Sequence, residues 1–364
     1  MANVPASYEQ SRTRFRAHLD DLTGSWPNTF LTCLPLESDP ALSTDIITAN
    51  PVIKERLIVI TTGEHGIEGY LGSAVLELFF EEYVRRLDPQ TTGLLLIHAI
   101  NPWGMKSWER QNPSNVDLNR NFIDGDFESL KTTNPDYPAL APYFTPSEPL
   151  NDTAGAKWRF IVNTIKNMVT FGSRRIREAA LMGQYHSPRG IYFGGMELQP
   201  ETVTMMDTYR KGFSGYREII HLDMHTGYGP RDQMTMVTSP YEKRPAAELT
   251  ARFDAPRIAT ANPDEFYTMQ GDMIDWEYRL VEREFPGINF FAATCEFGTY
   301  GDLILQAARS LRTTIVKNQL NQFGGSPEAA EWVKGEFREL YLPSDPAWLV
   351  KALADVRCVF NAIT

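Results

Sequence analysis

Three consecutive segments within residues 57–100 limit what this chain can fold into. Leu57-Ile58-Val59-Ile60-Thr61-Thr62 is apolar and β-branched and reads as a buried strand. Residues 71–86, rich in Leu, Phe and Glu, read as an amphipathic helix. Leu94-Leu95-Leu96-Ile97-His98-Ala99-Ile100 reads as a second strand, ended by Asn101-Pro102. Strand, helix and strand in that order form a βαβ unit, so a partly parallel sheet covered by helices is expected. The pattern adds strands at 219–224 and 288–294, and helices at 8–22, 158–182, 303–317 and 346–359. Residues 123–157 are rich in Pro, Asp, Asn and Thr, and Ile191-Tyr192-Phe193-Gly194-Gly195 closes a turn-rich insert. No internal repeat, low-complexity tract or linker is visible. The simplest organisation is one domain over residues 1–364, with a long insert at about 123–215.

Composition excludes several classes. A chain of 364 residues with 42% apolar residues can bury a large core. The formal net charge of −11 disfavours nucleic acid and an anionic membrane surface, so neither partner is expected. Residues 1–5 show neither a basic nor an apolar leader pattern, and no apolar run is long enough to span a bilayer. Cys33, Cys295 and Cys358 are few, odd in number and widely spaced. They argue against a disulfide framework or a thiolate metal site and suit the cytoplasm.

The first strand runs into Gly63-Glu64-His65-Gly66-Ile67-Glu68-Gly69. An imidazole and a carboxylate three residues apart, where a strand gives way to a turn, can converge on one divalent ion. A third ligand is available at the end of a later strand, Ile219-Ile220-His221-Leu222-Asp223-Met224-His225-Thr226-Gly227. Three further segments carry candidate chemistry. Arg110 precedes Asn115-Val116-Asp117-Leu118-Asn119-Arg120-Asn121-Phe122. Tyr267 leads through Gly271 to Ile274-Asp275-Trp276. Thr294-Cys295-Glu296-Phe297-Gly298 sets a carboxylate at a strand end, where open sheets put their chemistry.

In this order the segments resemble the zinc carboxypeptidases of the carboxypeptidase A type, including bacterial relatives and the aspartoacylase and succinylglutamate desuccinylase branch. The likeness runs from His65 to Glu296 and is greatest to a bacterial subgroup with Gly-Glu-His-Gly-x-Glu-Gly and a Tyr-Phe-Gly-Gly insert. It implies an α/β/α sandwich with a mixed, mostly parallel central sheet. It implies one Zn²⁺ per chain on His65, Glu68 and His225, with Asp117 orienting the His65 ring. His221, expected on the other alternation of its strand, is then a core or supporting histidine. Glu296 becomes the general base and Arg110 the group facing the developing oxyanion. Asn119 and Arg120 hold a substrate carboxylate, Tyr267 closes over bound substrate, and Ile274 lines the side-chain pocket. The departures are the long interval from Glu68 to His225 and the wide spacing of Tyr267 and Glu296.

The implied activity is zinc-dependent amide hydrolysis, with a metallocarboxypeptidase ahead of an N-acyl amino acid deacylase. Both take a peptide or N-acyl amino acid with a free carboxylate. A non-catalytic zinc-fold binding protein is the further alternative, and Glu296 argues against it. Each residue also has a plainer use: Arg110 and Arg120 in structural ion pairs, Tyr267 as a packed loop tyrosine, Asp117 as a turn residue. His98 and His186 are expected to be structural, His18 solvated, and Cys295 a packed thiol.

Overall fold

A computed structural model describes residues 3–260 and 269–364. Among the described residues eight strands form one sheet. They are β1 (Asn28–Leu36), β2 (Asp39–Asn50), β3 (Arg56–Thr62), β4 (Thr92–His98), β5 (Glu218–Thr226), β6 (Met234–Thr238), β7 (Ile258–Thr260) and β8 (Asn289–Phe297). Their order across the sheet is β1-β2-β4-β3-β5-β8-β6-β7. The central strands β4, β3, β5 and β8 are parallel, and so is the β6–β7 pair. The β1–β2, β2–β4 and β6–β8 pairs are antiparallel. The architecture is an α/β/α sandwich with a mixed, mostly parallel sheet.

The apolar runs of the central strands serve two cores at once, because both faces are covered. Ile58, Ile60, Leu94, Leu96, Ile220 and Leu222 face one core. Helices Tyr8–Thr23, Gly69–Glu82 and Pro346–Ile363 contribute Phe15, Phe79 and Phe360 to it. Leu57, Val59, Leu95, Ile97, Ile219 and Ala292 face the opposite core. There helices Pro200–Phe213 and Met273–Glu284 contribute Tyr209, Phe213, Trp276 and Leu280. The expected βαβ unit is β3, helix Gly69–Glu82 and β4, with Ile58 opposite Leu94 in a parallel register.

The β1–β2 hairpin and the short strands β6 and β7 are absent from the sequence-based pattern. β1 is an edge strand with one buried residue, Leu36, so it lacks the apolar run that marks the central strands. The insert also ends earlier than expected. Helix Pro200–Phe213 is a sheet-covering helix of the second core rather than part of the excursion. The preceding helices, Tyr137–Phe144 and Thr153–Leu181, build a small core of their own around Tyr137, Phe144, Ile176 and Tyr192, which also takes in Ile315.

Candidate metal centre

The parallel strands β3, β5 and β8 all end at the same edge of the sheet. Their registers align His225 with Glu296 and Asp223 with Thr61. The turn after β3 is held close by two glycines. Gly63 has φ of 68°, a conformation that L side chains rarely adopt. At Gly66 a Cβ would come within 2.1 Å of the Gly104 carbonyl carbon, so only glycine lets the turn approach helix Pro102–Ser107. Backbone bonds from Gly66 N to Arg110 O and from Ile67 N to Glu109 O tie this turn to the following loop. His65 and Glu68 are thereby fixed beside the end of β5.

Three donor groups converge there. His65 Nδ1 lies 2.9 Å from Glu68 Oε1, and His225 Nδ1 lies 3.3 Å from Glu68 Oε2. The two Nδ1 atoms are 3.1 Å apart, with the rings at 86° to each other. The other nitrogen of each ring meets an aspartate: His65 Nε2 is 3.0 Å from Asp117 Oδ1, and His225 Nε2 is 2.5 Å from Asp223 Oδ2. Carboxylates on both Nε2 atoms favour the tautomer with N–H there, leaving two lone pairs facing each other at Nδ1. That contact is repulsive unless a proton or a cation lies between them. All of these residues are buried.

The surroundings are rich in negative charge. Glu64, Glu68, Asp117, Asp223 and Glu296 crowd two imidazoles and the Arg110 guanidinium. Burial pushes Glu296 up to about 7, and the nearby Glu68 carboxylate adds to the shift while His225 opposes it. Burial likewise pushes Glu64 to about 7. Burial opposes ionisation of Glu68 and Asp117 too, but His65 and His225 beside Glu68, and Arg110 and His65 beside Asp117, outweigh it and hold both carboxylates low. Burial and the Arg110 charge depress His65, yet Glu68 and Asp117 prevail and raise it. Orphaned acceptors remain among the described residues: Glu64 Oε1 and Glu296 Oε2 have no hydrogen-bond partner, and Glu64 Oε2 has only the His225 ring at 3.3 Å. Two histidine nitrogens, an excess of carboxylates and orphaned buried oxygens are a donor set that fits a divalent cation.

Glu64 belongs to this cluster and was not assigned a role from sequence. One donor atom from each of Glu64, His65 and His225 lies within 4.8 Å of the others. Its Oε2 is 3.3 Å from His225 Nε2, the nitrogen that also faces Asp223. Glu68 instead meets both Nδ1 atoms. Its Oε2 also accepts from Thr226 N at 2.7 Å.

Arg110 donates through Nε to Asp117 Oδ2 at 3.0 Å and through NH1 to Glu68 Oε1 at 3.2 Å. It therefore braces two members of the cluster while also bordering the cavity. That cavity has a volume of about 980 Å³, and His65, Arg110, Asn119, Arg120 and Glu296 lie on its wall. Arg120 is fully buried, donating to the Asn119 and Leu181 carbonyls at 2.7 Å each. Asn119 Oδ1 accepts from Met273 N at 2.9 Å. Phe160, Met168 and Ile176 of the long insert helix also border the cavity, so the insert walls the cleft.

Two expected substrate contacts stand differently. Ile274 does not border the cavity. It is buried on the inner face of helix Met273–Glu284, in one core with Val116, Leu118 and Trp276. The helix presents its apolar stripe to the sheet, and Ile274 falls on that stripe. Tyr267 lies outside the described residues.

His221 is also corrected in one respect. Side chains alternate with period two, so residues 221, 223 and 225 share one face of β5 rather than opposite ones. They form a buried chain: Glu277 Oε2 meets His221 Nδ1 at 2.7 Å, and His221 Nε2 meets Thr61 Oγ1 at 2.7 Å. The Thr61 hydroxyl donates to Asp223 Oδ1 at 2.6 Å, and Asp223 reaches His225. The period-two spacing Asp223-x-His225 was the sequence signal for Asp223. Thr61 and Glu277 come from other elements and left none.

Solved structures with a similar course of the chain include bovine thrombin-activatable fibrinolysis inhibitor in complex with tick carboxypeptidase inhibitor. That match has 14% identity and a TM-score of 0.46, covering 92% of this chain and 98% of that one. Carboxypeptidase A from Helicoverpa armigera matches at 13% identity and a TM-score of 0.47, covering 98% and 75%. A Shewanella amazonensis protein assigned to the succinylglutamate desuccinylase/aspartoacylase family matches at 17% identity and 0.39, covering 81% and 72%. No curated protein matches. The profile of one family, described as "Protein of unknown function (DUF2817)", matches residues 5–355, and the chain belongs to that family.

Proposed function

We propose that the protein is a metal-dependent hydrolase of amide bonds, acting as a zinc carboxypeptidase that releases a C-terminal residue. The observation that carries this reading is the meeting of His65 Nδ1, His225 Nδ1 and the Glu68 carboxylate within 3.3 Å, with Glu296 aligned opposite His225. His65, Glu68 and His225 would hold a divalent ion, which when bound would supply Lewis acidity and acidify a water. Asp117 and Asp223 hold the Nε2–H groups, which fixes both rings and keeps their Nδ1 lone pairs turned inward. Glu296 takes a proton from the attacking water and delivers it to the leaving amine, a role that its burial favours by raising its pKa above the ordinary carboxylate range. Arg110, tied to Glu68 and Asp117, brings a fixed positive charge to the cavity wall where an amide oxygen becomes negative.

Arg120 with Asn119 is the candidate for recognising a substrate carboxylate. Arg120 borders the cavity and its guanidinium is already oriented by two carbonyls, so little freedom is lost on binding. Arg120→Ala should lower kcat/KM about 10²–10³-fold on peptides with a free C-terminus and change little on amidated peptides. An equal loss on both would assign Arg120 to structure and leave a general amidase. N-acyl amino acid hydrolysis uses the same groups and is the alternative. Activity on N-acyl amino acids without activity on peptides would replace the peptidase reading.

A further inference from the structure

The insert helix Thr153–Leu181 carries an exposed surface that, apart from Met168 at the cavity wall, the proposed chemistry does not use. Its inner side packs Ala156, Phe160 and Phe171 against the neighbouring helices. Its outer side exposes Trp158, Ile161, Val162, Ile165, Met168 and Val169, with Val169 85% exposed. At about 100° per residue these six side chains fall within an arc of roughly 120°. Lys157 lies just beyond one edge of that arc, and Lys166 and Arg159 lie just beyond the other. Among the described residues none of these three forms a salt bridge, although Lys157 lies over the Trp332 ring. The helix carries six basic residues and one acidic residue, Glu178, on a chain whose net charge is −11. A second exposed apolar run, Leu303-Ile304-Leu305, adjoins it: Ile304 and Met168 both border the cavity.

We propose that this helix docks the protein on an anionic lipid surface, lying in the interface with the cavity mouth beside it. An apolar stripe that carries a tryptophan and is flanked by snorkelling cations is the pattern of an interfacial helix. No helix among the described residues is long and apolar enough to cross a membrane, so the helix lies on the surface rather than spanning it. The whole-chain charge gives the opposite expectation, but charge acts within a Debye length of about 8 Å, and the helix presents its own sign. A second copy laid along the same helix would set like charges together, which disfavours self-association through this face. This inference stands apart from the hydrolase reading, because binding to vesicles needs no turnover.

The test is flotation of the full chain with vesicles of phosphatidylcholine alone, or of phosphatidylcholine with phosphatidylglycerol. The wild type should float with the anionic vesicles only and bind less as salt rises. Lys157→Gln/Arg159→Gln/Lys166→Gln should lower the partition coefficient on the order of 10²-fold, at about fivefold per cation removed. Ile161→Asn/Ile165→Asn/Val169→Asn should abolish flotation with an unchanged circular dichroism spectrum. Brominated phosphatidylglycerol should quench tryptophan emission in the wild type, and Trp158→Phe should remove most of that quenching. The last comparison keeps the test open if the triple variants misfold. Absence of wild-type flotation, equal flotation of the charge variant, or quenching unchanged in Trp158→Phe would each overturn the proposal. So would a dimer in light scattering that the Asn variant dissolves, with no vesicle binding.

Discussion

His98 and His225 are both fully buried histidines, on strands that flank β3 from either side, and their surroundings have opposite effects. His98 ends β4 with its Nε2 2.7 Å from the Ser11 hydroxyl, its ring stacked on Phe15 at 5.3 Å, and no hydrogen-bond partner for Nδ1 among the described residues. Burial pushes its pKa down to about 4. His225 is equally buried, yet Asp223, Glu64 and Glu68 surround it and raise its pKa well above the ordinary value, against that burial. Burial alone makes a neutral, packed histidine. Carboxylates placed on both ring nitrogens make a position suited to positive charge, whether a proton or a metal. The difference between a core histidine and a candidate ligand lies in the second residue each nitrogen meets.

The largest effect expected on the His225 side concerns its partner across the sheet. Glu296→Gln keeps the shape and removes the basic oxygen, so kcat should fall about 10³-fold with metal retained. In the wild type, kcat/KM should decline as pH drops through about 7, because a raised pKa leaves Glu296 protonated below that value. Steady-state kinetics across pH would check both. Full activity in Glu296→Gln would mean that another group takes the proton. A smaller effect is expected from the carboxylate behind His225. Asp223→Asn should weaken metal affinity about 10–100-fold without removing a ligand, as read by competition with a chelating dye. Unchanged affinity would show that His225 is held by other contacts.

The remaining prediction tests the His98 side, through stability rather than activity. Its pKa is lowered on folding, so the unfolded chain binds more protons between pH 6.5 and about 4. His98 therefore costs stability as pH falls through that window, by about 3 kcal/mol once pH is below both values. His98→Gln should narrow the difference between urea midpoints at pH 7.5 and pH 4.5, and metal content should not change. An undiminished pH dependence would mean that His98 takes up its proton in the folded state.

The parts of this molecule that were legible in the sequence share one property: they are local. The β3 run and the His65-x-x-Glu68 turn carry their signal within a dozen residues, and so does the Glu296 strand end. Asp223 was given no role from sequence, although its two-residue spacing to His225 was the signal available for it. The placement of His221 on the other face of its strand failed on that same rule, since residues 221 and 225 lie four apart and share a face, although its expected role as a core or supporting histidine fits the buried chain it joins. Thr61 and Glu277 reach the cluster from separate elements, so no spacing announces them. Ile274 shows the limit of a resemblance: its place in the motif suggested a pocket, but the helix stripe on which it sits belongs to the core. The β1–β2 hairpin was missed because an edge strand need not be apolar. The insert helix was recognised as a helix, but a single net charge for the chain concealed its basic, apolar outer face.

The central claim is that His65, Glu68 and His225 form a metal site while other buried histidines do not. The most direct measurement is metal content by mass spectrometry after equilibrium dialysis against zinc, on the wild type, His225→Ala, His221→Ala and His98→Ala. One ion per chain should remain in the wild type, His221→Ala and His98→Ala, and less than about a tenth in His225→Ala. A wild type that holds no metal, or a His225→Ala protein that retains one ion per chain, would contradict the account.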